Sequence, residues 1–249
     1  MKTGLVSVTF RGLSYTEIID LVKEAGLEGI EWAGDTHCLP GDKATAEKIA
    51  CSMKEAGLES ISYGSYYKLK EEIDFQDVLD VAVFLGTGNI RVWAGVKGSE
   101  ETDEEERRQL VTDAQRIADM AKVHDIDISF EYHSHTLTDT LESAIRLLND
   151  INRDNVYTYY QTSGLSDAED NLSAIKTLID MKKMKNIHVN ESDGNDRIAL
   201  SDVKDKWIRF ISAASSADPA LLLEFVKDDT VEQFYSDAKT LIECRNSVI

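Results

Sequence analysis

Proline is scarce in this sequence, with two residues in 249, and no Pro-rich or Ser/Gly-rich stretch indicates a linker. We therefore expect residues 1–249 to form a single domain. The N-terminal stretch MKTGLVSVTFRG has no long apolar run before Arg11, which predicts neither a signal peptide nor a membrane span. The three cysteines are odd in number and widely spaced, as is typical of a reducing compartment. These absences predict a cytoplasmic protein without a membrane partner.

Basic residues are also few. Lysine and arginine number 27 against 46 acidic residues, which gives a formal net charge of −19. A surface of this charge repels phosphate backbones and anionic membranes, so we expect no nucleic-acid partner. The simplest role of the acidity is solubility. Apolar residues make up 42% of the chain, which is enough for a sizeable core.

A repeated unit indicates the fold. The stretch AGLEGIEW begins at Ala25 and the stretch AGLESISY at Ala56, 31 residues further along, and each follows a helical pattern. In the first unit, Ser14 and Glu17 have the spacing of a capping box, and Gly26 fits the position that ends a helix. The apolar residues between them share one helical face: Ile18, Ile19, Leu21 and Val22.

Short apolar strands alternate with helical segments along the whole chain. We predict eight strands, near residues 5–9, 29–33, 60–64, 89–93, 127–131, 156–161, 186–190 and 221–226. Helices between them include 104–123 and 139–151. This alternation, at roughly 30 residues a unit, predicts an α/β fold with a single (β/α)8 TIM barrel. A doubly wound open sheet is the alternative; its dinucleotide-binding form is disfavoured because no Gly-x-Gly-x-x-Gly follows the first strand.

Polar residues follow the predicted strands at the ends where barrel enzymes build their active sites. The candidates, in chain order, are Glu31, His37, Arg91, Trp93, Glu131, His133, Gln161, His188, Glu224 and Lys227. Strands 5 to 8 would bring four of them around one divalent cation: Glu131, Gln161, His188 and Glu224. Because these ligands are oxygen and nitrogen without thiolate, they suit Mn²⁺, Mg²⁺, Co²⁺ or Zn²⁺.

Each candidate also has a simpler interpretation. A glutamate after an apolar strand is commonly a rim charge, and a histidine between aliphatic residues is commonly structural. Arg91 would have no substrate role if it only pairs with Glu31, whereas His133 could reach a substrate hydroxyl or support the metal shell. Thr136, Thr138 and Asp139 offer N-cap chemistry for the next helix. Aromatic residues after strands 2 to 4 would stack on a sugar ring or cap the barrel core: Trp32, Tyr63, Tyr66, Tyr67 and Trp93.

The whole chain resembles the sugar phosphate isomerase/epimerase superfamily, the xylose isomerase-like TIM barrels. The resemblance lies in FRGLSYTEIIDLVKEAGLEGIEWAGDTH, ISYGSYYKL, NIRVWAG, FEYHSHTLTDT, NIHVNE and LLLEFV. It implies one metal held at Glu131, Gln161, His188 and Glu224, where Gln161 replaces the usual aspartate. A neutral ligand there is expected to weaken metal affinity and make the ion a stronger Lewis acid.

The same resemblance implies proton removal next to a carbonyl, with Glu131 and Glu224 as both metal ligands and acid/base groups. Arg197 corresponds loosely to an arginine that the epimerases of the family use. We expect first an isomerase or epimerase of a small sugar or polyol-derived carbonyl compound, and second a lyase or dehydratase at the same site. A non-catalytic small-molecule binding barrel is the third hypothesis. Homo-oligomerisation is left open.

Overall fold

The computed structural model describes residues 1–70, 72–162, 167–194 and 196–248. Eight parallel strands form a closed barrel, so the predicted TIM barrel is confirmed. The strands are β1 (Thr3–Val6), β2 (Gly29–Ala33), β3 (Glu59–Lys68), β4 (Asn89–Trp93), β5 (Asp127–Phe130), β6 (Val156–Tyr160), β7 (Met184–Val189) and β8 (Ala220–Leu223). Their order around the barrel is β1-β8-β7-β6-β5-β4-β3-β2.

Helices alternate with the strands in the described part of the chain. They are α1 (Tyr15–Glu24), α2 (Lys43–Ala56), α3 (Phe75–Leu85), α4 (Glu104–Lys122), α5 (Leu141–Ile151), α6 (Ala168–Asp180), α7 (Lys204–Ala214) and α8 (Val231–Asn246). Short 3-10 helices cover Ser7–Phe10, Leu200–Val203, Ser215–Ala217 and Lys227–Asp229. Two two-residue strands, Ser192–Asp193 and Asp196–Arg197, pair in antiparallel fashion after β7.

Residue contacts divide the chain into two compact units. The first comprises 1–31, 52–59 and 160–249. Within it, β8 pairs with both β1 and β7, and His188 lies in register with Leu222. Its apolar core includes Trp207 against Phe210, with ring centroids 5.6 Å apart. In this register the last residues of β7 and β8, Val189 and Leu223, lie side by side.

The second unit comprises 32–51 and 60–159. Within it, β3, β4, β5 and β6 pair in chain order, and Arg91 of β4 is in register with Gly64 and Ser129. Asn89 ties this layer together: its amide nitrogen donates to Ser62 Oγ and Tyr159 Oη, both at 2.9 Å. Its amide oxygen accepts a hydrogen bond from Ser129 at 2.6 Å. These buried polar groups are thus satisfied by one another.

The predicted start and end of α1 agree with the structure. Ser14 Oγ accepts a hydrogen bond from the amide of Glu17, and the Glu17 carboxylate accepts one from the Ser14 amide, so the predicted capping box is confirmed. Gly26, just beyond this helix, adopts φ +72°. A left-handed conformation there suits glycine because it has no Cβ to clash with the backbone.

Several predicted boundaries were wrong: β3 runs on to Lys68 and β8 ends at Leu223, and the first strand and the fifth helix also differ. The first strand covers Thr3–Val6 rather than 5–9, and Ser7–Phe10 forms a 3-10 helix. Its last register pair with β2 joins Val6 to Glu31, and the chain turns into the 3-10 helix directly after it. The fifth helix begins at Leu141 with Thr140 as its N-cap, instead of at residue 139 with a cap from Thr136, Thr138 or Asp139.

The cysteines carry no disulfide in the described residues; Cys38 and Cys244 are buried and Cys51 is exposed. A search of the same residues finds no helix with the length and apolarity needed to cross a membrane. The prediction of a single xylose isomerase-like domain stays a prediction.

Candidate active site

A buried histidine between two carboxylates forms the first half of the site. His188 lies on β7 and is fully buried. Its Nε2 lies 3.3 Å from Glu31 Oε1, and its Nδ1 lies 3.3 Å from Glu224 Oε2. Glu31 belongs to β2 and Glu224 directly follows β8, so three separate strands supply this group. Asn190 adds a hydrogen bond from its amide to Glu224 Oε2 at 3.0 Å.

The two carboxylates change the pKa of the histidine. Burial alone lowers the pKa of an imidazole, but the carboxylates of Glu224 and Glu31 raise the pKa of His188 to about 10. This direction favours the imidazolium, with both ring nitrogens protonated, when no other cation is present. Metal binding would require the neutral imidazole, so a metal ion would displace one of these protons.

The second half of the site is built on β4 and the residue after β5. Glu131 is 4% exposed, and its Oε2 accepts hydrogen bonds from Arg91 Nη1 and from the indole nitrogen of Trp93, the latter at 2.6 Å. Arg91 is 1% exposed, so this is a buried ion pair. Two donors fix the orientation of the carboxylate. That Arg91 also pairs with Glu31 stays a prediction.

Two threonine hydroxyls stabilise the loop after β5 through hydrogen bonds to its backbone. Thr138 Oγ1 donates to the carbonyl of Glu131, and Thr136 Oγ1 donates to the carbonyl of His133 at 2.7 Å. The two hydroxyls also contact each other at 2.9 Å. Thr136 and Thr138, predicted as caps of α5, therefore hold the backbone that carries Glu131 and His133.

Aromatic side chains surround Trp93. His133 stacks on its ring with centroids 4.5 Å apart, and Tyr66 lies at 6.1 Å in a tilted arrangement. Tyr66 has φ +57°, a left-handed conformation that is uncommon for a residue with a side chain. Lys68 completes the cluster, with its ammonium 5.5 Å from the centroid of the Trp93 ring. Backbone strain at such a place is typical of functional sites.

Three of the four predicted metal ligands are buried and carry donor atoms that a divalent cation accepts: Glu131, His188 and Glu224. Two carboxylates and an imidazole fit a divalent cation by chemistry.

The remaining candidates lie at or near the strand ends. Gln161 directly follows β6 and is half-buried; its role as a ligand stays a prediction. His37 is buried and meets Trp32 edge-on at 6.2 Å, a packing contact. Ser163 and Gly164, part of the motif around Gln161, lie outside the described residues.

Arg197 and Lys227 line a separate cavity together with Asp196, Asp228 and Asp229. Arg197 forms an ion pair with Asp229, and its guanidinium lies 4.4 Å from the centroid of the Phe225 ring. Lys227 is exposed. The contacts of Arg197 favour a role in holding the chain after β8, whereas substrate binding by either residue stays a prediction.

Sequence reasoning missed Asn190 and Lys68. Asn190 carries a short polar side chain two positions after His188, and that alternation was a usable signal. Lys68 gave no such signal, because the predicted third strand ended at residue 64 whereas β3 continues to Lys68.

Comparison with known proteins agrees with the fold. The family model of the xylose isomerase-like TIM barrel matches residues 19–208. A 3-dehydroshikimate dehydratase of Bacillus anthracis is 29% identical over 275 residues, covering 100% of this chain and 96% of that protein.

Solved structures show the same barrel. The probable 3-DHS dehydratase AsbF of Bacillus anthracis, involved in petrobactin synthesis, superimposes with a TM-score of 0.79 at 22% identity, covering 97% of this chain and 99% of that one. The IolI protein with a bound zinc atom gives 0.78 at 16% identity, covering 100% and 99%. A D-psicose 3-epimerase with D-fructose gives 0.73 at 17%, also covering 100% and 99%. At these identities the structural likeness shows the fold alone.

Proposed function

We propose that the chain, which belongs to the xylose isomerase-like TIM-barrel family, is a metal-dependent dehydratase that removes water from a cyclic keto-acid such as 3-dehydroshikimate. The proposal rests on the buried imidazole of His188, held 3.3 Å from each of the carboxylates of Glu31 and Glu224. Such a concentration of buried negative charge calls for a cation. The full-length match to a dehydratase supports the choice of reaction.

Glu131, Gln161, His188 and Glu224 would hold the metal ion. When bound, a divalent ion supplies a Lewis acid that stabilises negative charge on the carbonyl oxygen of the substrate. The two orienting donors of Glu131, Arg91 and Trp93, keep its carboxylate fixed while it exchanges a proton. Preorganised groups of this kind act without reorganising during the reaction.

Dehydration begins when one of the glutamates, Glu131 or Glu224, takes a proton from the carbon next to the carbonyl. The hydroxyl on the neighbouring carbon then leaves and takes up a proton, and a carbon–carbon double bond forms. The removed proton and the leaving hydroxyl make one water molecule, so neither glutamate changes its charge over a turnover. Tautomerisation of a six-membered dienone formed in this way gives an aromatic ring.

An isomerase or epimerase of a keto-sugar, the function predicted first from the sequence, is the second candidate. It begins with the same proton removal but needs an acid/base group for each proton transfer. The presence of two buried glutamates, Glu131 and Glu224, favours it, since both carry a carboxylate at a strand end. The two candidates differ in whether a hydroxyl leaves.

The test is a product analysis with the metal supplied. The purified protein is loaded separately with Mn²⁺, Mg²⁺, Co²⁺ and Zn²⁺ and incubated with 3-dehydroshikimate, with inososes and with keto-sugars. We expect metal-dependent formation of an aromatic product from 3-dehydroshikimate. Glu131→Gln and Glu224→Gln should each lower kcat by about 10²–10⁴, because each removes an acid/base group.

Glu59→Gln is the matched control, since Glu59 is exposed at the start of β3 and pairs with Lys2. It should keep the activity of the unmodified protein. Epimerised keto-sugars without any dehydration would favour the second candidate. Ligand binding without turnover of any of these compounds would favour the non-catalytic barrel.

A further inference from the structure

Lys68 reaches the aromatic cluster because of an irregularity in β3. The register with β4 shifts between Gly64 and Lys68, so that Lys68 comes to lie opposite Trp93. A hydrogen bond from the Leu69 amide to the Trp93 carbonyl, 3.2 Å long, continues this pairing. The irregular end of β3 therefore places Lys68 beside Trp93 at the end of β4.

The indole ring links this lysine to a proposed catalytic carboxylate. The ammonium of Lys68 lies 5.5 Å from the centroid of the Trp93 ring, and the nitrogen of that ring donates to Glu131 at 2.6 Å. The ammonium and the carboxylate thus contact the same indole, one over the ring and the other at the ring nitrogen. A ring-shaped substrate whose reacting carbons lie at Glu131 would bring a ring substituent within reach of Lys68.

The positive side chains on and after β3 and β4 differ in burial and contacts. Arg91 is buried against Glu131, and Lys97 pairs with Glu106 at 2.9 Å. Lys68 is half-buried, and its ammonium lies 5.5 Å from the centroid of the Trp93 ring, on which His133 also stacks. A lysine packs its aliphatic stem against apolar surface and carries its charge at the tip, which suits recognition of an anionic group.

The positive charge of Lys68 would favour an anionic substrate. An anionic substrate would be repelled by the acidic surface of the protein and by the carboxylates of the site, whereas a neutral sugar would not. A lysine at the same indole as Glu131 offsets that repulsion for a ring that carries a carboxylate away from its reacting carbons.

We propose that Lys68 binds the carboxylate of a ring-shaped substrate and so selects cyclic keto-acids over neutral keto-sugars. The inference rests on the proposed function, whose substrate class it specifies. It assigns Lys68 a role in specificity and leaves the proton transfer to the glutamates.

Binding of two inhibitors of the same shape tests the proposal without requiring turnover. Calorimetry on the Mn²⁺-loaded protein compares 3,4-dihydroxybenzoate with catechol, which lacks only the carboxylate. We expect Lys68→Met to raise the Kd of 3,4-dihydroxybenzoate about 10–100-fold, as for loss of a charged hydrogen bond, and to leave that of catechol unchanged. Lys68→Arg should restore most of the affinity, and Lys176→Met, at an exposed lysine of α6, should change neither.

Equal effects of Lys68→Met on both compounds, or an effect on neither, would overturn the proposal. So would an unmodified protein that binds the two compounds equally well. Failure of the proposed function has a different signature: 3-dehydroshikimate is not dehydrated, whereas the carboxylate preference and its loss in Lys68→Met persist.

Discussion

Removal of Arg91 should reveal how strongly the site depends on its buried ion pair. In Arg91→Met the side chain keeps much of its volume but loses its charge. Glu131 then keeps the hydrogen bond from Trp93 but has lost its guanidinium partner, at a place where it is 4% exposed. The variant also loses the contact between the guanidinium and the ring of Tyr66, 5.0 Å apart.

The magnitude follows from these contacts. Breaking a buried ion pair by removing one partner costs about 3–5 kcal/mol in unfolding free energy, because the other charge is left buried. The cation–π contact adds about 0.5–1 kcal/mol, while the retained indole hydrogen bond reduces the loss. We expect about 3–4 kcal/mol in total, which for a chain of this length lowers Tm by about 6–16 °C.

Urea unfolding of four proteins measures the effect: the unmodified chain, Arg91→Met, Glu131→Gln and the double variant. Because the two residues form one pair, the double variant should be more stable than the sum of the single losses predicts, by about 1–3 kcal/mol. Arg108→Met, at an exposed pair with Glu105, is the control and should be nearly neutral. A loss below about 1 kcal/mol in Arg91→Met, or strict additivity, would refute the reasoning.

Two further outcomes follow from contacts away from this pair. Arg197→Ala should speed hydrogen exchange at residues 225–229 with little change in Tm, because Arg197 holds Asp229 and Phe225; a raised KM with unchanged exchange would instead indicate direct substrate contact. Asn89→Ala should lower the unfolding free energy by about 2–4 kcal/mol in urea titrations, since it leaves buried hydroxyls without their partner. Asn246→Ala, exposed at the end of α8, is its control, and an equally small loss in both would contradict the role of Asn89.

The barrel could be predicted because its signals are local and repeat. Strands β2 and β4 occupy the predicted residues, and the capping box of α1 is visible as a four-residue pattern. The end of β1 was not predictable in this way. The residues that follow it, up to Phe10, include several with strand propensity, but the ladder with β2 stops at Val6 and the chain turns into a 3-10 helix, which propensity alone does not indicate.

The candidate site was predictable in part for the same reason. Glutamate and histidine at the ends of apolar strands stand out in sequence, which made Glu131, His188 and Glu224 candidates. The partners of these residues depend on geometry across strands. Nothing in the sequence indicates that Trp93 donates to Glu131, or that a register shift in β3 brings Lys68 to that ring.

The charge balance around His188 connects the histidine to the proposed cation. With a neutral imidazole, the carboxylates of Glu31 and Glu224 carry two negative charges in a buried place, and a divalent ion would balance both. Without such an ion, the histidine can offset one of these negative charges by taking up a proton. The carboxylates therefore raise the pKa of His188 despite its complete burial. Glu131 differs because Arg91 already balances its charge. The buried charge that the proposed cation would balance therefore lies among β2, β7 and β8, where Glu31 and Glu224 flank His188.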